Sequence, residues 1–499
     1  METCAVAGAS GYVGSRLVGR LVASGRTVVA LGRRPDSLPA IAIRRPVDVA
    51  DTAALTDALA GVDVAYYLVH SMAGGEGFSQ RDRILAESFA KAAAEAGVRR
   101  IVYLGGLGHG EMSEHLRSRQ EVGEALRSAG GEVVELRAAV VIGAGSISFE
   151  MLRYLTERLP VMVCPRWITT KVQPIAESDL LDYLEQAPDV AAGIYEIGGP
   201  DASTYRDMIA TYAAVRGLRR RLILDVPVLT PGLSAHWVDL VTPVDRRVSH
   251  SLIESLATEV VVNAPEPAAG AFAITPLTVE EAIRAALAEQ AARIPPELMT
   301  FEPGLRDGVY SMHSHAVLTA TDTRGAKRDL GLCGGDLAWY GLPWAWKLRM
   351  LFGRLFGEHL SLGRPPAVEA GAKVDWWRVE KKSDDTLVLG TTEWFCGEAW
   401  LGYRVTEAPT PRLEQVGALR PKGLLGLVYW RALWPIHLIV FRVMSRRQAR
   451  RAHLLSGATS ASSGQDPGHE NGHVVAVHAS AGKPAGRGFD GFGDRPGGP

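Results

Sequence analysis

"TCAVAGASGYVGSRLVGRLVASG", close to the start of the chain, constrains the fold more than any other stretch. An apolar strand runs into a turn carrying Gly8, Gly11 and Gly14, after which Leu17, Val18, Leu21 and Val22 recur at helical spacing. "TVVALGRR" reads as a second strand, so the segment is one strand-turn-helix-strand unit of about 30 residues. The alternation continues through helix "TAALTDALAG", strand "VDVAYYLVHS", helix "RDRILAESFAKAAAEAG", strand "RRIVYLGGLG", helix "SEHLRSRQEVGEALRSAG" and strand "EVVELRAAVVIG". Strands that alternate with helices require right-handed crossovers and a parallel sheet covered on both faces. Residues 1–143 are therefore expected to form a doubly wound α/β core.

With 499 residues the chain is too long for one ordinary core. Residues 144–293 mix helices with short strands such as "GIYEIGG" and have the size of a substrate-side subdomain. A Pro-rich, polar stretch at 294–307 reads as a linker. Beyond it, "GVYSMHSHAVLTA", "KVDWWRVEKK", "TLVLGTTEW", "EAWLGYRV" and "RLEQVGALRP" are strands that do not alternate with helices. Leu401, Tyr403 and Val405 share one face, the period-2 pattern of a half-buried antiparallel strand. Helix patterns "LAWYGLPWAWKLRMLFGRLFG" and "LLGLVYWRALWPIHLIVFRVM" flank the later strands, which makes 308–452 a separate α+β domain. Residues 453–499 are poor in large apolar side chains and are expected to be a disordered tail.

A net charge of -1 provides no broad field for nucleic acid, so no nucleic-acid partner is expected. Cys4, Cys164, Cys333 and Cys396 lie far apart, with neither a disulfide framework nor metal-like spacing. Together with an N-terminus that enters a strand directly, this points to the cytoplasm.

The glycine turn has a definite chemistry. Gly8 permits the tight turn, Gly11 lets the backbone approach a pyrophosphate, and Gly14 lets helix and strand pack closely. The helix N-terminus then offers free N–H groups and the positive end of its dipole. NAD sites place an acid about 20 residues further on, whereas NADP sites place a cation there. Here the second strand ends in Arg33 and Arg34, with no acid before Asp36, which favours NADP and leaves NAD as the alternative.

Residues 1–290 resemble the atypical short-chain dehydrogenases, the branch that includes NmrA-like regulators and the dehydrogenase-like accessory subunit of respiratory complex I. The resemblance rests on "GASGYVG", "GRRP", "AYYLVHSM", "GVRRIVYLGGLG", "HLRSRQEVGEALRSAG", "LRAAVVIGAGSISFEML" and "QPIAESDL". It implies a Rossmann fold and assigns the whole turn, Gly8, Ala9, Ser10, Gly11, Tyr12, Val13 and Gly14, to the cofactor. It also implies adenine contacts at Asp48 and Val49, ribose contacts at Leu68, Val69 and His70, and a nicotinamide site beside Gly105 and Gly106. The C-terminal domain resembles an uncharacterised domain that follows such Rossmann domains in bacteria, of a helix-grip, ligand-cavity type.

The chain departs from that family in its catalytic groups. Carbonyl reduction normally uses a Ser to orient the carbonyl and a Tyr, with its pKa lowered by Lys, to supply a proton. The fifth strand instead exits through Gly105 and Gly106, and the next helix offers His115 and Arg119 at the Tyr-x-x-x-Lys spacing. His115 is a candidate proton donor and Arg119 a candidate phosphate or ribose contact; both are also read as ordinary helix residues. For Tyr66, Tyr67 and Tyr103 packing is the default, with one of the first two facing the core. Arg166 and Lys171 could bind an anionic substrate group over the nicotinamide, with surface salt bridging as the first expectation. His313 and His315 share a strand face without a third ligand, so no metal is expected. Trp376, Trp377, Trp394 and Trp400 are read either as a cavity lining or as core.

The apolar run from Leu424 has the length of a bilayer span but carries Arg431, Pro435, His437 and Arg442. Packing on the preceding sheet is the first expectation. Peripheral contact of 424–453 with the inner membrane face, through the basic "SRRQARRAH", is the alternative. Two functions stand: an NADP-dependent oxidoreductase on a small apolar, lipid-like or quinone-like molecule held between the two domains, and a non-catalytic NADP-binding redox sensor or assembly protein.

Overall fold

The computed structural model describes residues 2–70, 77–226, 258–292, 309–334, 368–391, 396–460 and 475–479, with single positions at 242, 256, 347, 350, 351, 353, 354, 363 and 365. The linker expected at 294–307, most of the helix pattern over 337–357, Trp394 and most of the expected tail lie outside the described residues. The chain divides into two compact units, Met1–Gln290 and Ala291–Pro499.

The first unit contains β1 (Thr3–Ala7), α1 (Tyr12–Ala23), β2 (Thr27–Gly32), β3 (Ile43–Pro46), α2 (Thr52–Ala58), β4 (Val64–Tyr67) and α3 (Phe78–Glu95). It continues with β5 (Arg100–Gly106), α4 (Glu114–Ser128), β6 (Glu132–Ala138), α5 (Ile147–Arg158), α6 (Glu177–Gln186), β7 (Gly193–Ile197) and α7 (Tyr205–Val215). All seven strands form one parallel sheet in the order β7-β6-β5-β4-β1-β2-β3. Winding reverses between β1 and β4, and a sheet of this kind opens its ligand crevice at the carboxyl ends of those strands.

Both faces of the sheet are covered. Cys4, Val6 and Tyr66 join one core cluster, while Ala5, Ala7 and Tyr67 join the other. This corrects the expectation that only one of Tyr66 and Tyr67 faces core: neighbouring strand residues point to opposite faces, and here each face is packed. A second correction concerns the sheet's extent. β7 pairs with β6 in parallel register, so the region read as substrate-side supplies the seventh strand of the core.

Local chemistry sets the helix starts. Asp51, Ser113 and Ser146 cap α2, α4 and α5 by accepting from the backbone N–H groups of Ala54, Leu116 and Phe149. In β6, fully buried Glu135 accepts from Arg127 of α4 and, at 2.7 Å, from Arg137. Gly123 makes room for that carboxylate against α4, where a Cβ would collide with it.

The second unit contains β8 (Tyr310–Val317), α8 (Asp322–Leu330), β9 (Lys373–Val374), β10 (Trp377–Lys382), β11 (Thr386–Thr391), β12 (Gly397–Thr406), β13 (Arg412–Pro421), α9 (Gly423–Ser460) and β14 (Val475–Ala479). Its sheet is antiparallel in the order β9-β10-β11-β12-β13-β8-β14. Leu401, Tyr403 and Val405 lie in its main cluster with Trp376 and Trp377, while Trp400 sits in a smaller cluster with Val388 and Val416. These tryptophans are core, and the strand expected to be half-buried is covered on both faces.

Two differences fall in the segment read as a tail. α9 continues past residue 452 to Ser460, and Val475–Ala479 pairs with β8. The helix end is held by α8: Arg451 bridges Asp329 at 2.6 Å and His453 Nδ1 lies 3.0 Å from Asp322, both carboxylates being buried. Local composition shows neither partner.

Candidate functional site

β1 ends at Ala7, and the chain turns at Gly8 with φ of +86°, a conformation that favours glycine. The Gly11 amide donates to the Gly8 carbonyl at 2.9 Å, closing the turn. A Cβ on Gly8 would stand 2.7 Å from the Leu68 carbonyl oxygen after β4, and one on Gly14 would collide with the Gly8 carbonyl. α1 starts at Tyr12 with neither a side-chain cap nor an acidic residue in its first turn. Its N–H groups and dipole therefore face the turn uncompensated, as a phosphate site requires.

Tyr12 is anchored by its hydroxyl, which donates to Glu177 at the start of α6, and Arg16 pairs with the same carboxylate. Burial raises the Glu177 pKa despite these partners. Gly143 leaves space for both groups, since a Cβ there would meet Glu177 and the Tyr12 hydroxyl.

From the turn a cavity of about 410 Å³ runs past Leu68, Val69 and His70 after β4, and past Gly105 and Gly106 at the end of β5. It reaches His115 and Arg119 on α4 and then opens among Val140, Met151, Leu152, Met162, Ile168, Met208 and Ile209. Arg119 is the only described lining residue with a fixed charge. Its guanidinium donates to the Leu104 carbonyl, and its own carbonyl accepts from the Tyr103 hydroxyl at 2.7 Å. Gly106 makes this approach possible, because a Cβ would lie 3.0 Å from Arg119 Cδ. Among the described residues, Arg119 Nε and His70 Nε2 are buried without a hydrogen-bond partner, so polar capacity remains for a ligand.

His70 and His115 meet edge to face with ring centroids 4.7 Å apart. His70 Nδ1 lies 3.4 Å from buried Asp82 on α3. Burial lowers the His70 pKa. Burial first, then His70 and Arg119, pushes His115 down to about 3 from the usual 6.5. His115 is therefore neutral at physiological pH. His115 and Arg119 both line the cavity, His115 from the first turn of α4.

This arrangement has a pH consequence. The unfolded chain takes up a proton at His115 near 6.5 while the folded chain resists until about 3. Its contribution to stability is then complete above about 6.5 and is lost progressively as the pH falls towards about 3. Urea denaturation of the apo chain across that range is expected to show an acid loss that is shallower in His115→Gln.

The structure brings together Gly8, Gly11, Tyr12, Val13, Gly14, Leu68, Val69, His70, Gly105, Gly106, His115 and Arg119 on one cavity wall. Ala9 is buried beneath the turn and Ser10 is exposed on it. Arg33 and Arg34 are exposed beyond the end of β2. Asp48 is exposed and accepts from the Ala50 amide, while Val49 packs in the core; these two residues follow β3, beside the end of β2, and do not line the cavity. Lys171 is exposed and off the cavity wall, and the Arg166 side chain lies outside the described residues. His313 is buried with Nε2 3.0 Å from Ser311 Oγ, and no cluster of three metal-ligating side chains occurs among the described residues.

Asp82, Glu177 and the apolar far wall were missed from sequence. Asp82 had a readable signal, a carboxylate on the same helical face as Ala86, Phe89, Ala90 and Ala93.

Residues 8–139 match the family described as NAD(P)H-binding, and residues 309–444 match the family described as protein of unknown function, DUF2867. The uncharacterized proteins Rv2047c of Mycobacterium tuberculosis and Mb2073c of Mycobacterium bovis are 29% identical over 214 residues, 41% of this chain. The match spans only 23% of the length of those relatives. Among solved structures, WbmH of Bordetella bronchiseptica in complex with NAD+ is similar at a TM-score of 0.45 and 15% identity, covering 59% of this chain and 99% of that one. The UDP-glucose 4-epimerase of Thermotoga maritima with UDP-glucose is similar at 0.46 and 12% identity, covering 58% and 99%. The parallel sheet, the glycine turn at its switch point and the family match over 8–139 agree: this chain carries an NAD(P)H-binding Rossmann domain, followed by a domain of the DUF2867 family at 309–444.

Proposed function

We propose that the chain is an NADP-dependent oxidoreductase that reduces an apolar carbonyl or quinone. The observation that carries this reading is the continuity of one cavity from the glycine turn, past Gly105 and Gly106, into a wall of aliphatic and methionine side chains. The chain's groups fit the cofactor: the glycine cradle and the N-terminus of α1 suit its pyrophosphate, and Arg33 and Arg34 suit a 2′-phosphate. When bound, the nicotinamide supplies hydride. The far wall excludes water and offers no described cation to a phosphorylated or carboxylated substrate beyond Arg119. Neutral His115 donates a hydrogen bond to the substrate oxygen, Arg119 supports the charge that develops there, and the alkoxide left by hydride addition takes its proton from solvent as the alcohol leaves. The described residues that line the cavity all belong to the first unit.

A non-catalytic NADP sensor is the second reading, favoured by one observation: with its pKa pushed down to about 3, His115 is no charged acid at neutral pH. NADPH consumption on adding apolar ketones and quinones, against carboxylate-bearing analogues, separates the two. The oxidoreductase reading expects consumption with the apolar set alone. Met208→Phe, which narrows the far wall, is expected to lower that rate by about tenfold while NADPH affinity stays unchanged. Binding without consumption by any of these compounds would establish the sensor.

A further inference from the structure

We infer that the outer face of α9 docks flat on an anionic lipid bilayer. The helix has two faces with different occupants. Leu427, Trp430, Met444, Ala449 and Ala452 are buried in the core of the second unit. On the opposite side, Leu425 and Val428 and, eight residues on, Ile436 and Ile439, each pair three residues apart, are exposed, between 53% and 66% accessible. The same stripe then continues as exposed Arg442, Arg446 and Arg450.

An apolar stripe alone would suit any partner. What selects a membrane here is the charge that continues it: from Leu424 to Ser456 the helix has six arginines and no aspartate or glutamate. An apolar surface a few residues wide, running into a cationic one on the same helix face, matches the acyl boundary and anionic headgroups of one leaflet. By length and composition α9 is long and apolar enough to cross a membrane. Its inner face, however, is occupied by its own domain, which leaves the outer face to lie on the surface.

The test uses the full chain and vesicle sedimentation. Vesicles of equal parts phosphatidylcholine and phosphatidylglycerol are expected to carry the protein down, and phosphatidylcholine vesicles are not. Replacing Arg442, Arg446 and Arg450 with Gln is expected to weaken partitioning roughly a hundredfold. Ile436→Ser with Ile439→Ser is expected to weaken it by more than about tenfold. Leu425→Ser with Val428→Ser repeats the apolar test at the other end of the stripe, and circular dichroism melting confirms that each variant folds. Equal binding to both vesicle types, or binding unaltered by the arginine set and both apolar pairs, would overturn the proposal. So would failure to bind together with concentration-dependent self-association that the Ile436 and Ile439 changes abolish, since the occupant would then be a second copy of the chain.

Discussion

Gly14→Val is expected to remove NADPH binding. A Cβ at this position collides with the backbone carbonyl of Gly8, and a backbone atom at a closed turn cannot step aside as a flexible side chain would. α1 must move away from β1, taking with it the uncapped N–H groups that face the turn. Losing two charge-assisted hydrogen bonds to a pyrophosphate weakens binding roughly a hundredfold or more. Titration of the bound nucleotide's fluorescence measures this, and a melting curve separates it from unfolding. Gly19, on the same helix but with open space around its Cβ position, is the control: Gly19→Ala should leave affinity unchanged.

Arg33→Ala should narrow the preference for NADPH over NADH, by about tenfold to a hundredfold, through weaker NADPH binding alone. Arg33 and Arg34 are exposed at the carboxyl end of β2, the edge where the adenosine half of a dinucleotide lies in this fold. The ribose partner that favours NAD, an acid at the end of β2, is missing from "ALGRRPD" before Asp36. Equal affinity of the wild type for both nucleotides would remove the 2′-phosphate assignment and return the site to NAD.

The architecture was legible where the pattern was repetitive. Alternating strands and helices from Thr3 to Ala138 gave the parallel sheet, because each apolar strand buries both faces and each helix buries one. β7 was not legible as part of that sheet: "GIYEIGG" is short, and its partner β6 lies far away in sequence. The end of α9 was misread for a related reason, since its stability comes from Asp322 and Asp329 on α8 rather than from its own composition.

The candidate site divides in the same way. The glycine turn, His70, Gly105, Gly106, His115 and Arg119 could be named because each sits at a strand end or a fixed helical spacing. The state of His115 could not be read, because its depressed pKa arises from burial beside His70 and Arg119, which come from separate segments. Arg119 on the Leu104 carbonyl, Asp82 beneath His70 and the apolar far wall likewise depend on distant parts of the chain meeting.

In the proposed reaction hydride leaves the nucleotide for a substrate in the apolar cavity. NADPH carrying deuterium at both nicotinamide C4 positions, mixed with the protein and an apolar ketone, tests this by mass spectrometry of the alcohol. One deuterium is expected on the carbinol carbon, with the other retained at C4 of the oxidised nucleotide. NADPH that binds at the glycine turn and keeps both deuteriums in the presence of every apolar carbonyl and quinone tried would contradict it.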